Sequence, residues 1–207
     1  MKEFESIELI KRLKALADTG LVYARDEYDR ERYTELREIS LNLLSHVSRQ
    51  PLEVLNGFFM PEKDYPTVKV DVRGFVLNDK DEILMAKEQV DGKWTIPGGW
   101  ADIGHTPSEI AIKEIKEETG LNCAVERLLA VFDKRKHAHP PQPFYVYKLV
   151  FLCKIIDGKM EHGFDMEGAA FFKIDALPEL SKDRIVSDQI HQLFTMVKEN
   201  ATNVIYD

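Results

Sequence analysis

Apolar residues in the first sixty positions recur at intervals of three and four, the period of one helix face rather than of a strand. Ile7, Ile10, Leu13 and Ala17 form one stripe, and the spacing predicts a helix over about Ser6 to Asp18, stopped by Gly20. Leu36, Ile39, Leu43 and Val47 form a second stripe on a longer helix, from about Asp26 to Arg49, which Pro51 ends. Two such helices cannot close a core of their own, so they are expected to dock on the rest of the chain or on a second subunit. "MPEKDYP", Met60 to Pro66, reads as a linker between an arm of residues 1–62 and a main domain of residues 63–207. Beyond it the period changes to two. "TVKVDVRGFVLN" turns at "NDKD" into "EILMAKE", which reads as a hairpin, and "KWTIP" as a short strand. "NCAVERLLAVFDKRK" and "PFYVYKLVFLCKIID" read as longer strands joined through "HAHPPQ", and "GAAFFKI" as another short one. "SDQIHQLFTMVKEN" closes as an amphipathic helix with Ile190, Leu193, Phe194 and Val197 inward. The elements sum to a mixed α/β (α+β) sandwich behind a helical arm.

One helix has unusually explicit ends. Thr106 suits the N-cap, Pro107 the first helical position, and Glu109 completes a capping box. Gly120 fits the C-terminal cap, so the helix spans about Pro107 to Thr119 with Ala111, Ile112 and Ile115 as its buried stripe. Glu114, Glu117 and Glu118 fall together in one sector of its last two turns. On its own this also fits an ordinary solvated face, with Lys113 placed to pair with Glu117. Yet like charges four residues apart repel, and anions at a helix C-terminus oppose its dipole. A divalent cation reverses both penalties, since hard ions take carboxylate oxygens. "IPGG", ahead of the helix, can turn a glycine carbonyl toward the same ion.

The chain has 207 residues, 44% hydrophobic and 31% charged, with a net charge of −8. This excludes a dedicated nucleic-acid coat protein but leaves room for a local basic patch. No apolar run approaches a membrane span, and the charged start argues against a signal peptide. The isolated Cys123 and Cys153 read as buried, reduced thiols of a cytoplasmic protein, and no zinc spacing appears.

"GWADIGHTPSEIAIKEIKEETGL", Gly99 to Leu121, resembles the signature of the Nudix hydrolases. Gly99 matches its opening glycine, and Glu114, Ile115, Glu117, Glu118, Gly120 and Leu121 its closing half. His105 stands where the family usually has glutamate, and Lys113 where it usually has arginine. The resemblance implies a Nudix-type α/β/α sandwich with a mixed sheet, and an enzyme that cleaves the diphosphate bond of a nucleoside diphosphate linked to another moiety, using Mg²⁺ or Mn²⁺. It assigns Glu114, Glu117 and Glu118 to the metal site, with a carbonyl of Gly98 or Gly99. The helical arm and the stretch "HPPQPFYVYKL" resemble the CDP-choline and ADP-ribose pyrophosphatase type, which implies a homodimer.

The catalytic base is expected on "DGKMEHGFDMEGAAFF", where Glu161, Asp165 and Glu167 are candidates and Glu167 is preferred. Arg73 and Lys87 are candidate phosphate contacts. Lys134, Arg135, Lys136, His137 and His139 can hold phosphate or an RNA end, and Trp94, Trp100, Phe144 and Tyr145 can stack a base. Three readings stay open: a hydrolase of small nucleotides with CDP-choline first and ADP-ribose or a nucleotide sugar next, an RNA-end hydrolase, and a non-catalytic ligand sensor. The complete glutamate cluster weighs against the last.

Overall fold

A computed structural model describes residues 3–58, 65–142 and 144–207, so most of the expected linker, and the boundary within it, lies outside the described residues. The chain forms two units, Met1–Val68 with Pro141–Phe144, and Lys69–Pro140 with Tyr145–Asp207.

In the first unit, α1 (Glu3–Tyr23) runs past its expected end. Gly20 does not stop it. A Cβ there would stand 2.3 Å from the Tyr33 ring, so the glycine lets α2 (Glu27–Ser48) come close, and packing outweighs its poor helix propensity. Asp26 caps α2 by accepting from the Asp29 N–H, and Arg49 ends it in the left-handed region. Pro51 ends α2 as expected and also opens a third helix that the pattern does not reveal, α3 (Leu52–Phe58), its carbonyl accepting from the Val54 and Leu55 N–H. Ile10, Leu41, Leu44 and Leu55 form the buried centre. The stripe of Leu36, Ile39 and Leu43 is exposed, at 37%, 44% and 44%.

The second unit holds β1 (Lys69–Val76), β2 (Ile83–Glu88), β3 (Trp94–Thr95), β4 (Gly98–Trp100), α4 (Pro107–Thr119), β5 (Leu121–Asp133), β6 (Val146–Gly158), β7 (Met166–Phe172), α5 (Ser187–Lys198) and β8 (Ile205–Tyr206). A mixed five-stranded sheet runs β4-β1-β6-β5-β8, with β1 parallel to β6, and a three-stranded sheet runs β3-β2-β7. The expected β1–β2 hairpin is therefore corrected. One bridge, Leu77 with Ile83, joins the two strands before they part into different sheets. Both are buried on both faces, so each needs layers above and below it. Along β1, Val72 and Val76 face a core with Ile110, Ala111 and Ile115 of α4. Phe75 belongs to a second core with Met85, Leu129, Phe132, Ile190 and Leu193. On α5, Phe194 and Val197 are partly buried, while Gln189 and Met196 join Ile190 and Leu193 inside. Both cysteines are free and buried.

Candidate active site

Helix α4 has the termini its sequence specifies. The Glu109 N–H donates to Thr106 Oγ1 at 3.3 Å, and the Thr106 N–H to Glu109 Oε2 at 2.7 Å. Gly120 closes the other end at φ 76°, its N–H donating to the Lys116 carbonyl at 2.9 Å. A Cβ on Gly120 would lie 2.4 Å from the Lys159 carbonyl, so this cap also admits the loop after β6. The inward stripe is Ile110, Ala111 and Ile115; Ile112, expected inside, is only partly covered. Gly74 on β1 leaves room for Ile115, since a Cβ would meet its Cδ1 at 2.4 Å. The helix therefore sits close on the sheet, and its last turns reach the glycine strand.

Strand β4 is one edge of the larger sheet. The Gly74 N–H donates to the Pro97 carbonyl, and the Ala101 N–H to the Val70 carbonyl. In an antiparallel pair these bonds alternate, so Pro97, Gly99 and Ala101 face the ladder, and the N–H and C=O of Gly98 point off the edge. Glu118 meets that edge: its Oε2 accepts from the Gly98 N–H at 3.1 Å. Gly98 has φ +146°, and a Cβ there would stand 2.1 Å from the Val72 carbonyl oxygen, so no other residue fits. A Cβ on Gly99 would lie 3.0 Å from Glu114 Oε2, so Glu114 faces the same strand.

The three glutamates have different surroundings. Glu118 is buried, not solvated, and burial raises its pKa to about 8 against the opposing charge of Arg73 and the Gly98 hydrogen bond. Burial also raises Glu114, with Lys113 opposing. Glu117 is exposed, with Lys113 3.5 Å away as the sequence anticipates; Lys113 also bonds Asp102 at 2.9 Å. Among the described residues, no three carboxyl, imidazole or thiol groups form a ready-made cage for an ion. The donors at hand are the Glu114 and Glu118 carboxylates and the outward Gly98 carbonyl, with Glu117 beside them. All are oxygens, which fits a hard divalent ion.

The remaining candidates are dispersed. Arg73 is buried, its Nε donating to Asp71 at 2.9 Å and its Nη1 to the Ile96 carbonyl at 3.2 Å. Lys87 pairs with Glu167 at 2.6 Å. Arg135 lies 5.1 Å over the Tyr145 ring and is ion-paired with Asp133. His139 is buried, with Nδ1 2.7 Å from the Lys182 carbonyl and Nε2 3.1 Å from the Gln189 amide, and burial lowers its pKa to about 4. That environment is structural. Lys134 Nζ donates to the Asp183 carbonyl, so the basic run is partly engaged within the fold. The loop carrying Glu161 and Asp165 folds on the last turn of α4: the Glu161 N–H donates to the Thr119 carbonyl at 3.0 Å, and Gly163 packs on the Glu117 carbonyl. Three exposed apolar side chains flank α4: Trp100 on β4, Ile103 before the helix and Phe164 on the loop beside its last turn.

Sequence reasoning missed Asp71 and Lys148. Lys148 is fully buried on β6, bonded to Asp71, and burial lowers its pKa to about 7 against the pull of Asp71. Burial alone would raise Asp71, but Arg73 and Lys148 hold it below the usual carboxylate range. A signal was there to read: "VDVRGF" and "YVYKLVF" put charges inside otherwise apolar strands.

Comparison with known proteins identifies the family and the fold. Residues 67–194 match the NUDIX domain, and residues 5–59 match the UDP-X-like, N-terminal oligomerisation domain. "Putative ADP-ribose pyrophosphatase YjhB" of Bacillus subtilis (strain 168) is 42% identical over 97% of this chain and 96% of its own length. The crystal structure of a UDP-X diphosphatase matches all of both chains with 36% identity and a TM-score of 0.64. That of an ADP-ribose pyrophosphatase from Streptococcus suis 89-1591 covers 68% of this chain and 100% of its own, with 30% identity and a TM-score of 0.62. A strand-capping glutamate helix in a matching fold, with relatives over its full length, makes this chain a member of the Nudix hydrolases, a diphosphate hydrolase with an oligomerisation domain ahead of its catalytic one.

Proposed function

We propose that this enzyme hydrolyses the diphosphate of a small nucleoside diphosphate linked to a second moiety, with ADP-ribose as its first substrate class. The observation that carries the site is the seat of Glu118 against the sheet edge at Gly98, with Glu114 beside Gly99. Glu114, Glu117 and Glu118, with the outward Gly98 carbonyl, are the residues that would hold Mg²⁺ or Mn²⁺. Gly99 contributes close approach, its own carbonyl facing the ladder. The bound ion supplies charge neutralisation on the diphosphate and a more acidic attacking water. The protein holds carboxylates at a fixed strand edge so that a polyanion is met by a site already in register.

Glu167 is the base that the sequence favours. Its Oε2 is engaged by Lys87 and Glu161 Oε1 by Lys159, but Glu161 lies on the loop that folds over the glutamate end of α4. Glu161 therefore stays beside it as a candidate proton acceptor. Lys87 orients Glu167 in this reading. Arg135, steadied by Asp133 and stacked on Tyr145, presents a fixed cation and ring to a phosphate or base. His139 supports the fold, and Arg73 acts from behind the site.

The names of the full-length relatives favour ADP-ribose and UDP-linked compounds, and the sequence layout adds CDP-choline. The test is incubation with each, and with a short RNA, in ¹⁸O-labelled water with Mg²⁺ or Mn²⁺ and then with EDTA. Metal-dependent AMP and ribose 5-phosphate from ADP-ribose are expected, with Glu118→Gln slower by about 100-fold or more. Full turnover by that variant would remove the site assignment. Faster cleavage of CDP-choline or of a UDP-linked compound would move the substrate class.

A further inference from the structure

Three buried charged side chains form a chain of contacts leading to Glu118. Lys148, fully enclosed on β6, bonds Asp71 on β1. Asp71 accepts from Arg73 two residues along the same strand, at 2.9 Å. Arg73 lies in register with Gly98 of β4 and donates to the Ile96 carbonyl at 3.2 Å, thus gripping the turn that delivers Gly98. Its side chain lies flat on that glycine, since a Cβ on Gly98 would stand 2.7 Å from Arg73 Cδ. The far side of the same peptide donates to Glu118. Burying three such side chains costs stability that apolar residues would not. The arrangement leads toward the glutamates, and Arg73 is the first opposing charge that Glu118 meets.

We propose that Arg73 is a positioning residue: clamped by Asp71 and Lys148, it fixes the Ile96–Gly98 turn so that the Gly98 carbonyl and the Glu118 carboxylate stand ready for one divalent ion. This rests on the metal-site reading above. A residue one layer behind metal ligands typically controls metal affinity by about 10- to 100-fold. Lysine keeps the charge but loses the fork that reaches Asp71 and the Ile96 carbonyl at once.

The test uses the full chain, with Mn²⁺ titration followed by electron paramagnetic resonance, and steady-state kinetics on ADP-ribose at saturating Mn²⁺. Arg73→Lys and Arg73→Met are expected to stay folded by circular dichroism and to bind Mn²⁺ at least about tenfold more weakly. Their kcat is expected to fall while KM for ADP-ribose stays within about threefold, the signature of lost ground organisation rather than lost substrate binding. Mn²⁺ affinity and kcat kept in folded Arg73→Lys would overturn the inference. So would a KM raised tenfold or more with Mn²⁺ affinity kept, which would make Arg73 a substrate contact. Should the Arg73 variants fail to fold, Asp71→Asn with Lys148→Met removes the clamp in balanced form, and unchanged Mn²⁺ affinity there would overturn it equally. Glu118→Gln runs alongside: full turnover in it sinks the metal-site reading itself, whereas a dead Glu118→Gln beside a normal Arg73→Lys sinks the positioning role alone.

Discussion

Glu118 carries its carboxyl in a buried position, and burial moves its pKa from 4.5 to about 8. Between those values the folded, metal-free protein holds a proton that the unfolded chain has released. Stability therefore falls as pH rises through this window, by roughly 5 kcal/mol if the whole shift is expressed. In EDTA, the wild-type melting temperature is expected to drop between pH 5 and pH 8.5 more steeply than that of Glu118→Gln. Parallel pH slopes for the two proteins would show that Glu118 is already ionised without metal. An ion that displaces this proton must bind more tightly as pH rises toward 8, so the same titration repeated with Mn²⁺ should flatten the wild-type curve. Glu114 shifts in the same direction and steepens the effect.

Helix α4 shows what local sequence can and cannot convey. Its caps, its length and the register of its glutamates are all set by contacts within four residues, so they stand as read. Thr106→Ala is expected to cost about 1 kcal/mol in urea denaturation, because the Glu109 N–H loses its acceptor. Turnover at saturating metal should barely change, since the glutamates sit at the opposite end; a large loss of kcat would mean that the helix transmits fraying along its length. What the pattern could not show lies in non-local contacts. The period-two stretches of β1 and β2 are real strands, but their alternation does not say that they enter different sheets. Gly20 looks like a helix stop until Tyr33 of another helix is placed beside it. Buried Lys148 looks like a surface lysine until Asp71 is set opposite it in register. The two-residue strand β8 is too short to carry a period, and the charge of Arg73 does not say that it lies behind Gly98.

For the molecule as a whole, the exposed Leu36, Ile39 and Leu43 stripe of α2 lies within the stretch that matches an oligomerisation domain. We expect it to be the seam of a homodimer. Leu43→Glu combined with Ile39→Glu should convert the dimer to monomers in light scattering while leaving helix content intact, and an unchanged mass would place the seam elsewhere. The catalytic unit divides its labour in a further way. Gly98 tolerates no side chain, Gly99 lies close against Glu114, and Arg73, Asp71 and Lys148 are enclosed behind them. Trp100, Ile103 and Phe164, around the same helix, stand in solvent at 52%, 105% and 97% exposure. Substitution at the first group costs the site its order, whereas at the second it costs the fold little. Descendants of this chain can thus vary these outlying side chains widely while inheriting the enclosed apparatus unaltered.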